Sequence, residues 1–413
     1  MIIDAQKYSG LCSCGREHSM ETVFSVVESG CLNRLNNYLT EYGLTGMTVA
    51  VYDENTYVAT AGKHPFVDRE IVLSPDGLHA DEHGVELLQA QLPAEAEILI
   101  AIGSGTIHDI TRYCAYEQHA QFVSCPTAAS VDGFCSSVAA MTWKGCKRTL
   151  TAVAPKLVIA DLDVIKQAPL FLARSGFGDM IGKYVALTDW RIGHLLTGEF
   201  YCERIATMTE EATNAVVVSA EGIVNGDESA YEKLMYGLLL SGLAMQMMGN
   251  SRPASGAEHH ISHLIEMKPE GLGVSSDALH GEKVGVGTLI ALEEYHRIAE
   301  ADLSWQDYAP HNEDAIVAIF GKALAEEIMK ENSKNCAEGI TGQKLNESFA
   351  QIADIIKALP DTAELRSLYH SLGVKSSLED IQVSEDKLPL LIEYSPCVRN
   401  RVTLMRLRRC IAE

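Results

Sequence analysis

The chain has 413 residues and a formal net charge of -23, from 56 acidic and 33 basic residues. Apolar residues make up 47% and charged residues 22%, which excludes disorder of the whole chain, and the length calls for two domains of about 150–250 residues each. A surface this acidic repels nucleic acid and anionic headgroups, so no nucleic-acid partner is expected and any phosphate site must be built from local groups.

The first residues, MIIDAQKYSGLCSCG, have neither a basic start nor a long apolar run, and no signal peptide is expected there. Eleven cysteines run from Cys12 to Cys410 without a C-x-x-C. Cys12 and Cys14 lie close together, but no second Cys/His pair follows at zinc-finger spacing, so the thiols read as reduced and mostly buried in a cytoplasmic protein. Residues 47–52 (MTVAVY) read as a buried strand ending at Asp53, and further strand candidates fall at 70–73, 98–102, 122–125 and 157–160. Strands alternating with helical stretches predict a Rossmann-like α/β domain with a parallel sheet.

From about Lys166 helical periodicity takes over, at 178–188, 210–218, 230–248, 287–301 and 315–331. A boundary near Ile165 is expected, with a nucleotide-binding α/β domain over 1–165 and an all-α metal- and substrate-binding domain over 166–413. The longest apolar segment, 234–248, contains Gly237, Ser241, Gly242 and Gln246 and is too short to span a bilayer, so no membrane insertion is expected. It reads as a buried helix ending at Gly249 and Asn250. Residues 375–413 read as more helix with a basic turn at Arg406, Arg408 and Arg409.

Residues 102–109 read IGSGTIHD, in which a strand feeds through Gly103 and Gly105 into a helix. Such a loop lets backbone approach a phosphate at a helix N-terminus, although a plain turn would look much the same; it is not G-x-G-x-x-G, because His108 takes the third glycine's place. The string Thr127, Ala128, Ala129, Ser130, then Asp132 and Gly133, suits a loop that wraps a cofactor. Asp53 could accept hydrogen bonds from a ribose, or serve as a turn aspartate.

The strongest local chemistry lies at 256–263 (GAEHHISH) and 280–282 (HGE). His259 and His263 share one helix face, and His280 opens the next segment, so two or three imidazoles can converge. Asp179, in SGFGDMIGKY at an expected helix start, is the best upstream carboxylate. One Asp and two His leave open coordination positions, as a catalytic metal requires, and suit zinc, nickel or iron. Among fourteen histidines a cluster that merely fills or caps a helix face is the alternative, and the absence of H-E-x-x-H removes a zinc-protease reading.

Taken together, the strings IGSGTIHD (102–109), PTAASVDGF (126–134), SGFGD (175–179), SGAEHHISH (255–263) and HGEKVGVGT (280–288) resemble the sn-glycerol-1-phosphate dehydrogenases of bacteria and archaea. These belong with glycerol dehydrogenases, iron-containing alcohol dehydrogenases and dehydroquinate synthases. The resemblance covers about residues 45–300, with Ser104 standing where many relatives have glycine. It implies that Gly103, Gly105, Thr106, Ile107, His108, Asp109, Thr127, Ala128, Ala129 and Ser130, with Asp53 and Ser136, bind NAD(H) or NADP(H). It implies that Asp179, His259 and His280 hold one divalent metal, and that Asp132, Asp179 and His263 face the substrate, with Asp179 and His263 taking part in catalysis. His259 is favoured over its neighbour His260 as the ligand.

The implied reaction is the NAD(P)H-dependent reduction of dihydroxyacetone phosphate to sn-glycerol 1-phosphate, an oxidoreductase step of phospholipid biosynthesis, in a cytoplasmic homo-oligomer, most simply a dimer. Ligands are expected in the cleft between the domains. Lys144, Lys147 and Arg148 are nearby candidates to grip the phosphate. The alternatives are a glycerol or other polyol dehydrogenase, a dehydroquinate-synthase-like lyase, and a non-catalytic nucleotide- or metal-binding protein.

Overall fold

The computed structural model describes residues 1–4, 7–143 and 146–412. Two compact units are present: Met1–Met180 with Asn214–Asn250, and Ile181–Thr213 with Ser251–Glu413. The strands end at Asp161 and helices dominate thereafter, so an α/β half precedes a helical one, and the segment around 214–250 returns to the first unit.

In the first unit, seven strands form one sheet: β1 (Ile2–Asp4), β2 (Phe24–Glu28), β3 (Thr48–Asp53), β4 (Arg69–Leu73), β5 (Ile98–Gly103), β6 (Gln121–Pro126) and β7 (Leu157–Asp161). Their spatial order is β1-β2-β7-β6-β5-β3-β4, all parallel except β1 against β2. Strands β5 and β7 are buried at every position, because a parallel sheet has both faces covered. The pleat divides β5 between two cores: Leu99 and Ala101 join Val49, Val51 and Phe122 on one face, while Ile98, Ile100 and Ile102 join Val26, Tyr52 and Ile159 on the other.

Strand β2 falls where the sequence reading assigned nothing; its core, Phe24 to Val27, is buried between β1 and β7. An antiparallel hairpin, Val138–Trp143 with Cys146–Thr151, was also not expected.

The helices around the candidate residues are α1 (Gly105–Glu117), α2 (Leu170–Ile181), α3 (Lys183–Thr197), α4 (Glu228–Met248), α5 (Ala257–Met267) and α6 (His280–Glu300). Helix α4 ends at Gly249 with φ 75°, the left-handed cap that glycine adopts without a Cβ penalty. The helix expected over 178–188 is instead α2 followed by α3, which puts Asp179 in the last turn of α2 and not at a helix start. The glycine-rich string before Asp179 reads as a loop, but a Cβ on Gly176 would collide with the Ala129 carbonyl oxygen, so close packing of α2 favours glycine there. No described helix is long and apolar enough to cross a membrane.

Candidate metal and cofactor sites

In the first unit the cofactor candidates gather at the carboxyl ends of β5 and β6. The register sets Gly103 beside Pro126, and the Thr127 N–H donates to the Gly103 carbonyl at 3.0 Å, so the two loops adjoin. Strand β5 ends at Gly103 and α1 begins at Gly105, with Ser104 extended between them and making no side-chain cap bond. The N–H groups of a first helical turn lack intrahelical acceptors, and the helix dipole adds positive potential there, so this end of α1 suits a phosphate.

The two glycines have different reasons. A Cβ on Gly103 would meet Ile107 at 2.6 Å, so packing of the strand end against α1 requires glycine. A Cβ on Gly105 would meet only Val131, at an ordinary 3.7 Å, and Gly105 is not among the glycines with positive φ. The protein's own packing therefore does not demand glycine at 105. Open space lies above this helix N-terminus, the kind of position at which a glycine backbone approaches a diphosphate closely.

His108 supports this loop from beneath. Its Nδ1–H donates to the Ser104 carbonyl at 2.9 Å, and its ring meets Phe134 edge-on at 4.9 Å. Burial, with the Arg112 charge adding to it, pushes its pKa down to about 3, so the ring is neutral. Ile107 is buried as well, while Thr106 and Asp109 are half-buried. Arg112, which the sequence reading did not single out, is fully buried and donates to the carbonyls of Phe134, Ser136 and Val138 at 3.1, 2.8 and 3.2 Å. It thereby fixes the segment carrying Ser136. Asp53 caps the helix Glu54–Ala59, its Oδ1 accepting from Thr56 N–H at 2.8 Å.

Thr127, Ala128, Ala129 and Ser130 are all buried, and α2 packs directly against them. The Ser175 hydroxyl donates to the Ser130 carbonyl at 3.2 Å, and a Cβ on Gly176 would collide with the Ala129 carbonyl oxygen. One turn further on, Asp179 Oδ2 accepts from the Asp132 N–H at 2.9 Å, and Asp132 Oδ2 accepts from the Ser241 hydroxyl of α4 at 2.7 Å. The two aspartates expected to face substrate are therefore neighbours.

In the second unit α5 and α6 bring three imidazoles together. Ring centroids are 5.4 Å apart for His259 and His280, 5.7 Å for His263 and His280, and 5.9 Å for His259 and His263. The i, i+4 spacing supplies the pair His259 and His263, and the start of α6 supplies the third ring, His280. A Cβ on Gly287 would meet the Glu258 carbonyl at 2.6 Å, so glycine lets α6 lie close against α5.

Buried carboxylates orient two of these rings. His259 Nδ1–H donates to Glu258 Oε1 at 2.6 Å, and His280 Nδ1–H donates to Glu266 Oε1 at 2.9 Å. Each bond places the lone pair on Nε2, the tautomer of a metal-ligating histidine with an outer carboxylate partner. Burial opposes the ionisation of Glu266, but His280, His263 and Lys283 outweigh it and hold its carboxyl well below the usual range. Burial pushes His263 well below the ordinary histidine pKa, with Glu266 opposing and His280 and His259 reinforcing.

His260 is buried outside this triangle, and neither of its ring nitrogens has a hydrogen-bond partner. Burial, then Arg401 and Arg406, push its pKa well down. Neither Glu258 nor Glu266 was singled out in the sequence, although Glu258 directly precedes His259. Of the phosphate candidates, Lys144 and the side chain of Lys147 lie outside the described residues, and Arg148 is exposed on the hairpin.

A family described as iron-containing alcohol dehydrogenase matches residues 26–169. A glycerol-1-phosphate dehydrogenase, NAD(P)+-linked, from Bacillus licheniformis is 37% identical, with 98% of this chain and 94% of that protein covered. One from Geobacillus thermodenitrificans is 35% identical, with 92% and 89% covered. The crystal structure of a probable glycerol dehydrogenase from Sinorhizobium meliloti shares the fold at a TM-score of 0.61 and 18% identity, covering 92% of this chain and 90% of that one.

Proposed function

The chain belongs to the family of glycerol-1-phosphate dehydrogenases, and on that premise we propose that it reduces dihydroxyacetone phosphate to sn-glycerol 1-phosphate at the expense of NADH or NADPH. The observation that carries this reading is the convergence of His259, His263 and His280, with Glu258 and Glu266 fixing two of the rings. That donor set fits a borderline divalent ion such as zinc, nickel or iron, and the N-terminal end of α1, where a Cβ on Gly105 would meet only Val131, suits a dinucleotide phosphate.

Asp179, His259 and His280 hold the metal in this reading. When bound, the cation polarises the ketone oxygen and the nicotinamide carries the hydride. The N-terminus of α1 and the 127–130 loop seat the cofactor, with Asp53 and Ser136 at its margins. Asp132 orients the substrate beside Asp179, and a ring nitrogen of His263 delivers or relays the proton that the substrate oxygen gains. His263 stands neutral, so it carries that proton on one nitrogen and accepts its replacement on the other. The enzyme works in the cytoplasm, as a homodimer, on a phosphorylated three-carbon substrate that feeds phospholipid synthesis.

Following NADH absorbance with dihydroxyacetone phosphate and with unphosphorylated dihydroxyacetone tests the reading. Turnover only with the phosphorylated ketone is expected. Equal turnover of both would make it a polyol dehydrogenase, and no turnover by the metal-loaded enzyme would reject the proposal. His259→Ala and Asp179→Ala should each lose metal and activity with an unchanged circular dichroism spectrum.

A further inference from the structure

Far along the chain from these residues, in the N-terminal segment, a second group of metal-binding side chains is assembled. Strands Gly10–Leu11 and Glu17–His18 pair antiparallel, and the loop between them is tight: Cys12 N–H donates to the Arg16 carbonyl and Gly15 N–H to the Cys12 carbonyl, both at 3.0 Å. The turn brings one ligand atom from each of Cys12, Cys14 and His18 within 4.8 Å of the other two. Cys14 Sγ lies 3.3 Å from His18 Nε2.

His18 is 3% exposed, and its Nδ1–H donates at 3.0 Å to the carbonyl of Met247, in the last turn of α4. A carbonyl can only accept, so the proton is on Nδ1 and the lone pair on Nε2 faces the thiols. This is the orientation that an outer hydrogen bond gives a metal-ligating histidine. In tetrahedral zinc sites, Zn–S and Zn–N bonds of about 2.3 and 2.0 Å put ligand atoms about 3.3–3.8 Å apart, a spacing this hairpin reaches with side-chain adjustment.

We propose that Cys12, Cys14 and His18 bind a zinc ion that is structural and separate from the catalytic metal. Two thiolates and a neutral imidazole balance the charge of Zn2+, and soft sulfur ligands select it over magnesium or calcium. Binding releases the two thiol protons to solvent, with no change of oxidation state. The ion locks the hairpin, whose Leu11 side chain is exposed and adds little packing, onto the C-terminal end of α4 through His18. The C-x-C spacing falls outside zinc-finger patterns because the segment supplies three ligands; a water or a further thiolate completes the tetrahedron.

The test uses the full-length enzyme, with metal analysis and cobalt substitution. One zinc per chain beyond the catalytic metal is expected, and Cys14→Ser should lose that equivalent while retaining the catalytic metal. Cobalt loading should give a near-ultraviolet thiolate-to-cobalt charge-transfer band that survives His259→Ala and disappears in Cys14→Ser. A cobalt-loaded enzyme without that band, unchanged zinc content in Cys14→Ser, or a Cys12–Cys14 disulfide in the isolated protein would each overturn the proposal. If Cys14→Ser does not fold, titrating thiols of the unaltered enzyme with and without chelator decides: chelation should expose two additional reactive thiols, and no change would count against the site. None of these readouts depends on the dehydrogenase reading.

Discussion

His259 Nδ1–H donates at 2.6 Å to the carboxylate of Glu258, its immediate neighbour, which is itself completely buried. The same Glu258 oxygen accepts from Gly256 N–H at 2.8 Å, so the carboxylate joins the turn before α5 to the imidazole. Glu258→Gln keeps the size but removes the charge that makes His259 a basic ligand. Metal affinity should fall about 10–100-fold while the helical circular dichroism is retained. Competition against a chelator of known affinity measures this, and an unchanged affinity would show that the pair only packs.

The loop glycines should separate binding from stability. Gly105→Ala puts its methyl into open space 3.7 Å from Val131, so thermal stability should change little while the KM for NADH rises. Gly103→Ala forces a methyl to 2.6 Å from Ile107 and should cost about 1–3 kcal/mol of stability. Thermal melts with cofactor titration check both. Equal loss of stability in the two variants would mean that Gly105 is a turn residue and nothing more.

Strands β3, β5, β6 and β7 could be read from the sequence because strands buried on both faces write themselves as short apolar runs. The pairing of His259 with His263 was legible for a similar reason, since helical spacing is local. Glu266 with His280, Arg112 with the carbonyls of 134–138, and Asp132 with Ser241 were not, because each joins segments that no periodicity links. Asp179 was found as a residue but misplaced on its helix, because a glycine-rich string resembles a loop, whereas Gly176 lies inside α2 and makes room for the Ala129 carbonyl. Cys12 and Cys14 read as ordinary thiols because the orientation of His18 is set by a carbonyl more than two hundred residues away.

Glu294 on α6 supplies a pH dependence. Burial raises its pKa, but Arg297, at 2.6 Å, and Arg408 outweigh that and hold it below the ordinary value of 4.5. A carboxylate depressed in the folded state contributes stability that is present above its unfolded pKa and lost as pH falls through its folded pKa. Glu294→Gln should therefore cost about 2 kcal/mol at neutral pH, and the difference from the unaltered protein should shrink as pH drops below 4.5. Denaturant midpoints across that window check the sign; a gap that widens towards acid would contradict it.

The residues beyond about 330 carry no motif, yet they brace the helix that bears the histidines. Asp189 of α3 is the junction: its Oδ2 accepts from Ala257 N–H at 2.9 Å at the start of α5, and its Oδ1 accepts from Tyr295 Oη–H and from Leu404 N–H, both at 2.8 Å. Arg401 adds a bond to the Ser255 carbonyl at 2.6 Å, and Arg252 one to the Val402 carbonyl at 2.8 Å. Asp189→Ala would leave three buried donors unpaired at about 1–3 kcal/mol each, whereas Asp189→Asn keeps one acceptor oxygen. Thermal midpoints should fall in the order unaltered, Asn, Ala, and the Ala variant should lose metal in parallel because the first turn of α5 is released. If its stability drops while metal affinity stays intact, the C-terminal segment supports the fold alone and does not set the position of His259.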